Sequence, residues 1–273
     1  MATSQTSQQD EPPYPSYREI RSDGLPMILS PNAAQRLFWP FDGIFPASIS
    51  VMKTSRSPKS LEPYVKPGTE GNSGGTWHEI SQLPLTEPKI SSVEVSVYDL
   101  DQWEYTWLEQ HREHTGGNAE YILYGDLSDD DRPYPSEMKE DGGWESDSDT
   151  EFLMRCCDQD RPLRKAAKLL VKPSAGNDFV TVHDYVSAVH PWLMSLREDI
   201  LKAMTNFLGY PPSLPTEFMV SKGPDMLWIE DKERWLQWNG GSPKPPRFPI
   251  PPSFLNKLRR DRLAKQEAQK ALG

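Results

Sequence analysis

Cysteine is nearly absent: the 273 residues hold two, side by side at Cys156 and Cys157. That excludes a disulfide framework, because a bridge between neighbours strains the peptide joining them, and it points to a reducing compartment, the cytoplasm or nucleus. Long apolar runs are missing too. No uncharged apolar stretch reaches the roughly 18 residues of a membrane-spanning helix, so no membrane partner is expected. The opening segment MATSQTSQQDEPPYP lacks a basic start followed by an apolar core, so no secretory leader is expected either. Glycine, at 17 residues, is too sparse and aperiodic for collagen, and 27 prolines interrupt any long coiled coil. Walker loops, GxGxxG and GxSxG are all absent. What is present is a moderately apolar chain with nine tryptophans, too aromatic to be wholly disordered.

The net charge of -10 is concentrated. Between Asp126 and Asp160 there are 13 acidic and 3 basic residues, a local balance of -10 that leaves the rest of the chain neutral. Little in DLSDDDRPYPSEMKEDGGWESDSDTE repeats with a period of 3.6 or 2, so residues 126–160 are expected to form one acidic disordered loop.

Before that loop, Val93, Val95 and Val97 alternate with Glu94, Ser96 and Tyr98, the period of a half-buried strand. Asp101 with Glu104 resembles a helix cap, and Leu100, Trp103, Trp107, Leu108 and His111 then share a face as far as Gly116. Ala119–Tyr124 is a second strand, and this strand–helix–strand order permits a parallel or an antiparallel arrangement.

Downstream, Thr181 and Asp184 can cap a helix whose stripe runs through Val182, Val186, Val189, Leu193, Leu196, Ile200, Met204 and Phe207. Pro191 interrupts it without breaking phase, which predicts a kinked helix or two helices with Pro191 in the first turn of the second. Glu217–Ser221 and Asp225–Ile229 form a hairpin through Lys222, Gly223 and Pro224. Asp231 then opens a short helix closed by Gly240 and Gly241. Helix, hairpin and short helix make an α+β fold. The segments VHDYVSAVHPWLMSLREDIL, FMVS and MLWIEDKERW resemble a domain of unknown function found in uncharacterised fungal proteins, over about residues 178–241. That resemblance implies a fold and a source, and brings no activity and no catalytic residues.

Candidate chemistry is thin. Gly71-Asn72-Ser73-Gly74-Gly75 resembles the nucleophile loop of chymotrypsin-type proteases, but no histidine precedes His78 to act as base. His111 and His114 share a helix end with no third or fourth metal ligand nearby, so no bound metal and no cofactor are expected. Acidic neighbours disfavour the thiolates of Cys156 and Cys157, which argues against nucleophilic roles. His183 and His190 lie about 10 Å apart along a helix, too far to share an ion. Ser128, Ser146 and Ser148 each precede an acidic residue by three positions and are candidate phosphorylation sites. At the far end, PKPPRFPIPP has polyproline spacing, and the following segment carries six basic residues against two acidic ones between Lys257 and Lys270.

These readings divide the chain into a disordered N-terminus (1–16), a structured part (17–125), the acidic loop (126–160), an α+β module (161–241), a Pro-rich linker (242–252) and a basic C-terminal helix (253–273). They favour a non-enzymatic protein-interaction or scaffold module. Nucleic acid is expected only through the tail, with Lys257, Arg259, Arg260 and Arg262 as contact residues and the acidic loop as the tail's docking partner. The alternative is a hydrolase with a site near His183, Asp184 and His190.

Overall fold

The computed structural model describes residues 14–66, 75–112, 114, 119–128, 151–162, 167–208 and 217–240. The Pro-rich linker, the basic tail, Ser146, Ser148 and Gly71–Gly74 lie outside them, as does nearly all of the N-terminal segment.

Two sheets organise the architecture. Their strands are β1 (Val93–Val97), β2 (Ala119–Leu123), β3 (Glu151–Cys156), β4 (Gln159–Asp160), β5 (Leu169–Val171), β6 (Phe218–Lys222) and β7 (Met226–Asp231). The helices are α1 (Tyr17–Ser22), α2 (Tyr98–His111), α3 (Val182–Ser195), α4 (Arg197–Leu208) and α5 (Lys232–Asn239). Residues 28–87 add strands of only two or three residues, such as the antiparallel set Leu37–Phe38, Ser50–Met52 and Leu61–Pro63. This is an α+β fold.

The main sheet has the order β5-β1-β7-β6. β1 pairs antiparallel with β5 (Val95 opposite Leu169) and parallel with β7 (Leu227 opposite Val97), while β6 and β7 form the expected hairpin. Val93, Val95 and Val97 are all buried, and they join one apolar core with Trp39, Phe41, Tyr185, Val189, Leu193, Val220 and Ile229. The division into a 17–125 part and a separate 161–241 module is therefore corrected. A central strand from the first part completes the sheet of the second, and neither buries its apolar face alone.

The helix pair also differs from expectation. Pro191 sits inside α3 and not in a second helix's first turn. The break comes at Leu196, whose N–H bonds back to the carbonyls of Leu193 and Met194. α3 then stays against the sheet while α4 packs on α2, with Arg197 held by Asp42 at 2.6 Å. At the start of α3 the capping box reads as expected: Asp184 N–H donates to Thr181 Oγ1 (3.1 Å), and Thr181 N–H donates to Asp184 Oδ2 (2.9 Å). α2 begins at Tyr98 rather than at an Asp101 cap, because β1 runs directly into it.

The second sheet, in the order β4-β3-β2, overturns the expected disorder of 126–160 at that segment's far end. Leu123 pairs with Glu151 and Ala119 with Cys156, antiparallel, and Leu127 is buried. The acidic count concealed a strand. Phe152 and Cys156 turn inward, while Arg155 stands among Glu120, Asp158 and Asp160 at 3.7, 4.0 and 3.5 Å and offsets part of their charge. β1 and β2 belong to different sheets, so strand, helix and strand form no direct pair. No helix among the described residues is long and apolar enough to cross a membrane.

Candidate metal centre

Helix α2 ends where the β3–β4 hairpin turns. Cys156 pairs with Gln159 in that hairpin, leaving a two-residue loop of Cys157 and Asp158, with φ of 51° and 61°. Positive φ at both positions is the pattern of a type I′ turn, which matches the twist of the flanking strands. Successive residues of a regular strand point to opposite faces. The left-handed backbone at Cys157 instead brings its Sγ to 3.8 Å from Cys156 Sγ.

His114, just past α2, reaches both sulfurs: its Nδ1 is 3.6 Å from Cys156 Sγ and 3.3 Å from Cys157 Sγ. His111, three residues earlier, completes the group, and one ligand atom from each of the four residues lies within 4.8 Å of the others. A tetrahedral ion with ordinary Zn–S and Zn–N bonds has edges of about 3.8 Å between sulfurs and about 3.6 Å between sulfur and nitrogen. The observed distances of 3.8, 3.6 and 3.3 Å match one face of such a tetrahedron to within about 0.3 Å.

The surroundings orient the ligands. His111 is buried and its Nδ1–H donates to the Trp107 carbonyl at 2.7 Å, since that oxygen can only accept; Nε2 is left with its lone pair. A ligating imidazole characteristically makes such a second bond. The Trp107 ring lies 4.3 Å from the His111 ring and limits its rotation. On the hairpin side, Arg161 sits over the Phe152 ring at 3.6 Å and reaches Glu104 of α2 at 2.7 Å, so sheet and helix are joined beside the centre. Burial, and then the adjacent Cys157 thiol, push the Cys156 thiol above its ordinary range.

The premise for expecting no metal is thus overturned: the third and fourth ligands exist, 42 and 43 residues after His114. Chain-local reasoning missed them because the acidic segment intervenes. One signal was available, namely that the only two cysteines adjoin each other at a strand end while two of five histidines stand three apart at a helix end. Four protein ligands of this type suit zinc and would fill its coordination sphere, an arrangement that would join the two segments and leave no open position for a substrate.

The other candidates have structural partners. His190 accepts from Trp39 Nε1–H at 3.0 Å and donates through Nε2 to the Gly43 carbonyl at 3.0 Å, so both ring nitrogens are occupied. Burial alone would raise the Asp184 carboxyl, but hydrogen bonds from Ser174 and Thr181 outweigh it and hold it below the usual range. The His183 ring stands edge-on to Trp77 at 4.4 Å. These three side chains therefore face separate neighbours, and the cavities lined by Gln35 and Trp235, by Arg18 and Lys168, and by Asp42 and Lys232 involve none of them. His78 is buried and caps the short helix Glu79–Gln82 through Nδ1. Ser128 is exposed at the end of the segment that follows β2.

Compared with protein-family models, with curated proteins and with solved structures, the chain matches nothing.

Proposed function

We propose that this chain is a non-enzymatic protein-interaction module of the cytoplasm or nucleus in which a structural zinc ion, held by His111, His114, Cys156 and Cys157, clamps the base of an acidic loop. The observation that carries this reading is the convergence of the four ligand atoms within 4.8 Å. Pairing of Leu123 with Glu151 draws together the two ends of the segment between them, and that segment holds most of the chain's excess negative charge. A basic protein surface is the complementary partner. Ser128, Ser146 and Ser148 are its proposed phosphorylation sites, each modification adding about -1.5 to -2 charges. The basic residues Lys257, Arg259, Arg260 and Arg262 are the proposed internal competitor for the same loop.

Elemental analysis of the full chain, purified without chelator and dialysed, is expected to give one zinc per chain. Replacing the zinc with cobalt should give the visible absorption of a tetrahedral thiolate site. Removing the metal should raise hydrogen exchange in 151–161 and at the end of α2 by at least about tenfold, roughly 1.4 kcal/mol, while β1 and β7 keep their protection. A metal-free protein with an unchanged exchange pattern after zinc addition would overturn the proposal.

A further inference from the structure

The four ligands divide into two that are buried, Cys156 (1% exposed) and His111 (6%), and two that are exposed, Cys157 and His114. One sulfur of the centre therefore faces water while its neighbour, 3.8 Å away, is covered. Resting on the zinc reading above, we propose that Cys157 is a redox modification site, at which a hydroperoxide converts the Cys156–Cys157 ligand pair to a vicinal disulfide and expels the metal.

The chemistry balances in two steps. The exposed Cys157 thiolate attacks one peroxide oxygen; an S–O bond forms, the O–O bond breaks, and the departing hydroxide takes a proton to become water. The Cys156 thiolate then attacks Cys157 Sγ; the S–S bond forms, the S–O bond breaks, and a second hydroxide leaves as water. Both sulfurs are oxidised by one electron each and the peroxide is reduced by two. In sum, two thiolates, one hydrogen peroxide and two protons give one disulfide and two waters. Zinc, left with two imidazoles, dissociates.

Two features fit this sequence. The left-handed backbone of Cys157 already holds the sulfurs face to face, so the resolving thiolate needs no search. Adjacent Cα atoms are about 3.8 Å apart across a trans peptide, shorter than the roughly 4.4 Å at which ordinary disulfides begin, so the product is strained. A strained disulfide is readily reduced, and a cellular thiol such as glutathione therefore restores the dithiol and lets zinc return.

The test uses the zinc-loaded full chain with a chromogenic zinc chelator. Hydrogen peroxide in small excess is expected to release one zinc per peroxide consumed. The peptide spanning 156–157 should then be two hydrogens lighter, and dithiothreitol with added zinc should restore both mass and metal. In Cys156→Ser, which lacks the resolving thiol, a sulfenic-acid trap such as dimedone should label Cys157. Wild-type protein that holds zinc but keeps it under peroxide overturns the switch and leaves the zinc reading standing. So does release accompanied only by sulfinic acid or by disulfides between chains. Protein that never carries zinc overturns the centre itself.

Discussion

The two sheets are held by different physics. In β1 every second side chain is buried, and the core around it draws on residues from Ile20 to Ile229. In β2, Tyr121 and Leu123 stay exposed at 51% and 42%, and directed contacts join the sheet to α2: Arg161, lying over Phe152, pairs with Glu104, and the four prospective metal ligands come together. Apolar burial is non-directional and sums over many partners, so it survives imperfect geometry. Coordination and buried ion pairing depend on all members being in place. A thin sheet with little to bury therefore gains most from a cross-link, as small domains commonly do.

Breaking the main sheet's support should produce the largest effect. Leu193→Ala empties a fully buried position of α3 and is expected to cost about 2–5 kcal/mol in chemical denaturation. The zinc content of the folded fraction should not change. A loss below about 1 kcal/mol would mean that the shared core is not the principal source of stability.

The second prediction concerns the junction between the regions. Asp99, in the first turn of α2, is buried with Oδ2 unpartnered, beside Ile229 and Glu230 of β7. Burial pushes its carboxyl up from 3.8 to about 6, against hydrogen bonds from backbone N–H groups and with help from Glu230. The folded state therefore binds the proton more tightly than the unfolded state. Stability should fall as pH rises from about 4 to about 6 and level off above that. Asp99→Asn removes this cost: thermal or urea unfolding should show a gain of up to about 2–3 kcal/mol at pH 7. The gain should vanish near pH 4, and a gain independent of pH would point to packing instead.

The smallest effect should be confined to the outlying sheet. Arg161→Ala removes a buried guanidinium from Glu104 and Phe152 and is expected to cost about 1–2 kcal/mol. Hydrogen exchange should register the loss in 151–161 and leave β1 untouched. An equal loss of protection in β1 would show that the two sheets unfold as one unit.

Much of the local structure was legible in the sequence. The alternation of Val93, Val95 and Val97, the Thr181–Asp184 cap, the stripe through Leu193 and Ile200, and the Asp231 cap of α5 each repeat at the period of their own element. Their assembly was not legible. Nothing near Val95 announces that Leu169 and the strand carrying Leu227 will flank it, because pairing across such separations depends on the global arrangement. β3 was hidden for a different reason: net charge over 35 residues outweighed the inward alternation of Phe152 and Cys156. The candidate metal centre required both failures to be repaired, since its cysteines stand on the hidden strand and its turn, and its histidines at the end of α2 and just past it.

The parallel pairing of β1 with β7 also constrains how the chain can be made. Translation delivers β1 early, its antiparallel neighbour β5 much later, and β7 later still. Until Met226 and Leu227 leave the ribosome, β1 has an open edge and apolar side chains that its own half cannot cover. The nascent polypeptide thus passes through a long interval in which the apolar side chains of β1 and its edge are open to chaperones.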